Sequence, residues 1–207
     1  MARSDKKSDH KKRIGIFGGT FNPIHHGHLI NIALVKENFD LDSVLFIPVK
    51  EPVHKSLRNN VLPGDRMKMV ELAISGTDYY KALDIEIKRE SPSYTITTLE
   101  ELKKIYCNDE LFLIIGSDSF NELDTWKEYK KILSDYAIIV LQRPGNEKLR
   151  DDILSIAKNI EFQKGYMIEI SSSMIRDRVN KGLPINYFTA NEVVSYIREK
   201  GLYKIEQ

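Results

Sequence analysis

Four short apolar segments, each stopped by glycine or proline, limit what this chain can fold into more than any other feature. They are Arg13-Ile14-Gly15-Ile16-Phe17, ended by Gly18-Gly19; Val44 to Val49; Leu111 to Ile115, ended by Gly116; and Ala137 to Leu141, ended by Arg143-Pro144-Gly145. Near-continuous runs of this length are what a strand needs when helices cover both faces of its sheet. Between them the apolar spacing turns helical. Leu29, Ile32, Ala33 and Val35 follow the first run, and Met67, Val70, Leu72, Ala73 and Ile74 lie behind Pro63, which suits a first helical turn. Short buried strands alternating with helices argue for a parallel α/β architecture with right-handed crossovers.

The remaining segments fill out this plan. Ala82 to Ile87 alternates like a half-exposed strand. Thr95 to Tyr106 reads as a helix with Ile96, Leu99, Leu102 and Ile105 on one side. Met167 to Ile170 reads as a strand leading into a helix over Ser172 to Lys181, stopped by Gly182. A last helix spans Glu192 to Lys200, with Thr189 and Glu192 at capping-box spacing and Gly201 as its stop. No repeat or linker divides residues 13–207, so one domain is expected behind a disordered basic tail, residues 1–12.

Charge and cysteine content exclude several classes. The net charge of +1 conceals a split: residues 1–13 carry six Lys or Arg against two Asp, so the rest of the chain is slightly acidic. That body shows no broad basic face for nucleic acid. No apolar run approaches the roughly 20 residues that span a bilayer, and Met1 to Arg13 lacks the apolar stretch of a secretory signal. No membrane or nucleic-acid partner and a cytoplasmic location are expected, with the oligomeric state left open. The single cysteine, Cys107, excludes an internal disulfide and is expected in a buried or half-buried helical position.

The segment Gly18-Gly19-Thr20-Phe21-Asn22-Pro23-Ile24-His25-His26-Gly27-His28 carries the chemistry. Open α/β sheets bind ligands at the carboxyl ends of strands, where Gly18 and Gly19 stand, and a missing Cβ lets a ligand approach the backbone. Gly27-His28 opens a helix whose N-terminal amides suit an anion. His25 and His28, three positions apart, can both face a phosphate there, whereas His26 is expected to face solvent. A metal pair lacks a third nearby ligand, and neither a Walker loop nor a Gly-x-Gly-x-x-Gly fingerprint is present. Ser171-Ser172-Ser173-Met174-Ile175-Arg176 is a second candidate: hydroxyls at a helix start with an arginine one turn in suit polyphosphate.

The first segment closely resembles the (His/Thr)-x-Gly-His signature of the nucleotidyltransferase superfamily, and the second resembles its C-terminal Ser-Ser-x-x-(Ile/Val)-(Arg/Lys) element. The resemblance implies a Rossmann-like open parallel sheet with helices on both faces. It implies catalytic roles for His25, His28 and Arg176, and an ATP site drawn from Gly18, Gly19, Thr20, Phe21, Gly116 and Ser171 to Ser173. Asn22 departs from the Asp that many members carry. Pro52-Val53-His54-Lys55, Ser91 to Leu99, and Ile114 to Asp118 followed by Trp126 resemble the bacterial nicotinate-nucleotide adenylyltransferase branch in particular. That branch implies ATP and nicotinate mononucleotide as substrates, with Mg²⁺ bridging the phosphates. Thr95 and the amide of Lys127 would hold the nicotinate carboxylate, Trp126 would stack on the pyridine, and Lys55 would reach triphosphate. Asp118 is placed for ribose hydroxyls or a metal, and the resemblance implies ribose. A phosphopantetheine adenylyltransferase and a non-catalytic dinucleotide sensor are the competing readings.

Overall fold

The structure is a computed structural model that describes residues 11–50, 61–90, 92–142 and 150–204. Among these residues six strands form one sheet, in the order β3-β2-β1-β4-β5-β6, and every neighbouring pair runs parallel. The strands are β1 (Arg13–Gly19), β2 (Ser43–Pro48), β3 (Tyr80–Ala82), β4 (Glu110–Gly116), β5 (Ala137–Gln142) and β6 (Ile160–Lys164). The longer helices are α1 (His26–Asn38), α2 (Pro63–Ile74), α4 (Thr95–Ile105), α8 (Ser172–Asn180) and α9 (Asn191–Glu199). Shorter ones are α3 (Ile85–Lys88), α5 (Ser117–Asn121), α6 (Tyr129–Asp135) and α7 (Asp151–Leu154), with a 3-10 turn at Leu123–Thr125. No helix among the described residues is long and apolar enough to cross a membrane.

Side chains on successive strand positions point to opposite faces, which explains why the apolar runs are unbroken. Val44 and Phe46 of β2, Phe112 and Ile114 of β4, and Ile139 and Leu141 of β5 enter one core, shared with α1, α2, α8 and α9. Ile14 and Ile16 of β1, Leu45, Ile47, Leu113, Ile115, Ile138 and Val140 enter the other, shared with α4 and α6. Strand order reverses between β1 and β4, which pair directly with Ile14 opposite Leu111 and Phe17 opposite Ile114. The carboxyl ends of these two strands, Gly18-Gly19 and Gly116, therefore flank the switch point where open α/β sheets hold ligands.

Several sequence expectations need correction. Ala82 to Ile87 is not a strand: β3 stops at Ala82 opposite Phe46, and Ile85–Lys88 forms a helical turn. The sixth strand lies at Ile160–Lys164, and residues 167–170 are irregular. An edge strand with a single neighbour needs no continuous apolar run, and the sequence Ile-Glu-Phe-Gln-Lys carries none. Ile105 is exposed because α4 ends on it, and Cys107, beyond that end, is exposed too. Gly182 and Gly201 do terminate α8 and α9, with φ of 68° and 63°.

At Gly15 of the central strand no side chain fits without displacing its neighbours. A Cβ there would stand 2.8 Å from Ile114 Cδ1 and 2.9 Å from Leu41 Cδ1. Gly15→Val should therefore overpack the core by about 1–3 kcal/mol, lowering the thermal midpoint by roughly 2–12 °C for a chain of this size. Circular dichroism melting checks this; an unchanged midpoint would contradict the packing described.

Candidate active site

The segment between β1 and α1 is irregular backbone, and its buried carbonyls need partners. Side chains from distant parts of the chain supply them. Arg66 of α2, fully buried, donates to Thr20 O at 2.8 Å and Lys50 O at 2.7 Å. Arg176 of α8 donates to Asn22 O at 2.7 Å, and Ser172 Oγ to Pro23 O at 2.8 Å. Thr189 Oγ1 donates to Ile24 O at 2.7 Å. Thr189 is thus a strut for the loop and not a helix cap; Ala190 holds the N-cap position of α9. The Asn22 side chain is buried as well, and its Oδ1 accepts from the Tyr203 hydroxyl at 2.8 Å. Burial raises the Tyr203 hydroxyl pKa, partly offset by Arg176 and Arg66, and burial lowers that of the Arg66 guanidinium.

This scaffold aims the first turn of α1. His25 is its N-cap residue and is buried, with its ring stacked on that of His28 at a centroid distance of 3.6 Å. The backbone N–H of His25 donates to His28 Nδ1 at 3.2 Å. Nδ1 is therefore the acceptor, and Nε2 carries the proton. Gly27 permits this stack, since a Cβ there would lie 3.0 Å from His25 Nδ1. His26 is half-buried, and its backbone N–H bonds Phe188 O at 3.0 Å.

His28 opens onto a cavity of about 430 Å³, within the range of small-molecule sites. Its walls include Gly18, Gly19, Thr20, Gly116 and Asp118. They also include Thr95, at the N-terminus of α4, with Trp126 and Lys127. The Lys127 ammonium lies 4.6 Å from the Tyr94 ring centroid, joining these two walls. The backbone N–H of Trp126 donates to Leu123 O at 2.9 Å. A smaller recess of about 80 Å³ adjoins, sharing Phe17, His28 and Gly116 and walled by Asn31, Gln142 and Gly165.

Most expected site residues meet here: Gly18, Gly19, Thr20, His28, Gly116, Asp118, Thr95, Trp126 and Lys127 all line the cavity. Others do not. Phe21, at φ 47°, is a buried core residue whose ring meets that of His28 edge-on at 5.4 Å. His25 lies behind His28. Ser171 accepts from Met174 N–H as the N-cap of α8, and Ser173 Oγ accepts from Arg176. Only Ser172 bonds the loop itself, at Pro23 O, and none of the three serines lines the cavity. Lys55 and His54 fall outside the described residues. Arg66, Tyr203, Thr189 and Glu86 were missed from sequence. Only Arg66 gave a signal, a charge on the stripe it shares with Met69, Val70 and Ile74.

A Rossmann-like switch point beside a histidine-capped helix defines a nucleotidyltransferase architecture. The chain belongs to the cytidylyltransferase-like family, whose profile matches residues 16–178. It is 40% identical over 200 residues to the probable nicotinate-nucleotide adenylyltransferase of Desulfitobacterium hafniense strain Y51, covering 94% of this chain and 97% of that protein. Identity to the probable enzyme of the same name from Borreliella burgdorferi is 37% over 191 residues, covering 92% and 96%. Among solved structures, Plasmodium falciparum nicotinic acid mononucleotide adenylyltransferase complexed with NaAD superposes with a TM-score of 0.76 at 23% identity, covering 93% of this chain and 97% of that one. At that identity the likeness speaks for the fold.

Tyr203→Phe leaves Asn22 Oδ1 buried without its donor. The expected loss is about 1–3 kcal/mol of stability, read from urea unfolding midpoints. A variant as stable as the parent would show that this bond does not anchor the loop.

Proposed function

We infer that this protein is a nicotinate-nucleotide adenylyltransferase, joining the adenylyl group of ATP to nicotinate mononucleotide to give nicotinate adenine dinucleotide and pyrophosphate in NAD biosynthesis. Relatives of that name match at 36–40% identity over nearly the full length of both chains. The observation that carries the reading is one cavity lined both by Gly18, Gly19, Thr20 and His28 and by Thr95, Trp126 and Lys127.

In this reading the acceptor's 5′-phosphate oxygen attacks the α-phosphorus of ATP. A new P–O bond forms as the bond to the leaving pyrophosphate breaks, so no covalent enzyme intermediate is required. Such transfer rests on positioning and charge stabilisation. The Nε2–H of His28, fixed by the Nδ1 bond, donates to the phosphate oxygens, and α1 adds its N-terminal amides. His25 backs the imidazole of His28 by stacking. Arg176 and Ser172 hold the loop, and Ser173 accepts from Arg176. The small recess beside His28 suits the purine, and Asp118 the ribose hydroxyls.

The pyridine of the acceptor stacks on Trp126. Its carboxylate takes the first-turn amides and hydroxyl of Thr95 and the amide of Lys127, with the macrodipole of α4 favouring the negative charge. An amide in its place brings no charge to those donors, so the acid is preferred. A divalent cation, Mg²⁺ in our reading, arrives with ATP and, when bound, neutralises charge on the phosphates. Among the described residues no group of three His, Cys, Asp or Glu could hold a metal. Asp118, a carboxylate of the cavity lining, would be one protein ligand for such an ion, with phosphates and waters completing its shell.

Pyrophosphate release from ATP should be fastest with nicotinate mononucleotide, slower with nicotinamide mononucleotide and absent with phosphopantetheine. His28→Ala should lower kcat roughly a hundredfold or more, as loss of one preorganised donor does, while the variant still folds, as read by circular dichroism. Near-normal turnover in that variant, or preference for the amide, would overturn the assignment.

A further inference from the structure

The recess beside His28 is walled by parts of the chain that the sheet keeps apart. Gly27, His28 and Asn31 belong to α1, which follows β1. Gln142 ends β5 and Gly165 directly follows β6, strands that lie two and three places from β1 in the sheet. The Asn31 side chain joins the two sides. Its Nδ2 donates to Gly27 O, one turn back on its own helix, at 2.9 Å, and its Oδ1 accepts from the backbone N–H of Tyr166 at 3.0 Å. The Gly165 N–H is taken by Gln142 O at 2.9 Å. Asparagine is a poor helix former because its amide competes for backbone groups; here both ends of that amide are engaged at the recess.

Gly165 points to the same contact independently. A Cβ there would stand 2.9 Å from Asn31 Oδ1 and 3.2 Å from Gln142 O, so the strand end abuts the amide with no room for a side chain. Further along, Asn38 Nδ2 donates to Gln163 Oε1 at 2.8 Å, tying the last turn of α1 to β6. The helix thus has a second anchor about two turns away, and changing Asn31 releases only the end at the recess. His28 is insulated from such a change, because its ring accepts from the His25 N–H. Attraction between a flat ring and the walls of a slot depends steeply on fit: a gap of about 0.5–1 Å already forfeits a quarter to a half of each contact.

Resting on the function proposed above, we propose that Asn31 is a positioning residue for the base of ATP: by holding Gly27 O and the Tyr166 N–H at once, it sets the width of the recess in which the purine lies. It acts through the wall at Gly165 and Tyr166 and makes no demand on the phosphates, which meet His28 and the amides of α1. Loss of Asn31 therefore weakens ligands that carry the base and spares those made of phosphate alone.

The test is titration calorimetry of ATP and of inorganic tripolyphosphate against the wild type, Asn31→Ala, Gly165→Ala and the double variant, with kcat for pyrophosphate release measured alongside. Asn31→Ala should weaken ATP about tenfold, leave tripolyphosphate within about twofold and leave kcat within about threefold. Gly165→Ala, whose Cβ displaces the Asn31 amide, should weaken ATP in the same selective way. In the double variant that amide is gone and only the milder approach to Gln142 O remains, so its loss should fall well short of the product of the two single losses. Unchanged ATP affinity in Asn31→Ala, an equal loss for tripolyphosphate, or a double variant as weak as that product would overturn the proposal. Should Asn31→Ala not fold, Gly165→Ala decides: ATP affinity unchanged, or lost equally with tripolyphosphate, overturns it. A wild type that binds ATP but turns over no pyridine mononucleotide would refute the acceptor assignment and leave this inference standing; one that binds no ATP would overturn both.

Discussion

The architecture of the site depends on how four carbonyl oxygens between Thr20 and Ile24 are satisfied. A loop that leaves a central strand and re-enters as a helix has no ladder of its own, so its buried acceptors must be met from elsewhere or cost free energy. Here the donors are Arg66, Arg176, Ser172 and Thr189, the last three some 150 or more residues away in sequence or nearly so, at separations of 154, 149 and 165. The bonds tie the loop to three places: α2, α8 twice, and Thr189 just before α9. The start of α1 follows from that lattice. With it come the stack of His25 on His28 and the bond that leaves Nε2 as the donor.

The same lattice explains why two sequence elements at opposite ends of the chain act together. From the sequence, Ser171 to Arg176 looks like an independent polyphosphate cradle. In the fold, its serine and arginine side chains are engaged with Pro23, Asn22 and one another. In the proposed reaction, their influence on the phosphates would run first through the loop that Arg176 and Ser172 hold. A change at Arg176 is therefore a change in where His28 points as well as in local charge.

Legibility from sequence followed the physics of each element. The central strands were plain because a strand covered on both faces must be apolar throughout, as in Phe112 to Ile115. Edge strand β6 was not, because Ile160 to Lys164 has to satisfy one neighbour only. Alternation over Ala82 to Ile87 misled, since Leu83 and Ile85 pack on the core equally well from a helical turn. At the site, Gly18, His28, Thr95 and Trp126 stood out because their types suit ligands in any setting. Glu86 and Arg66 did not, because a buried charged residue looks in sequence like a solvated one until the fold encloses it.

The manner of that enclosure bears on catalysis. A buried guanidinium is usually matched by a carboxylate, but Arg66 and Arg176 are bonded to carbonyl oxygens and a hydroxyl. Dipoles stabilise these cations without cancelling their charge. The loop thus keeps a net positive character next to the cavity end where a polyphosphate would lie, and partly buried surroundings screen such a field less than bulk water does. Asn22 fits the same logic. Its Oδ1 accepts from Tyr203 as a carboxylate would, yet the amide brings no negative charge to oppose the phosphates. The departure from the commoner Asp therefore preserves the scaffold while leaving the field of the two arginines intact.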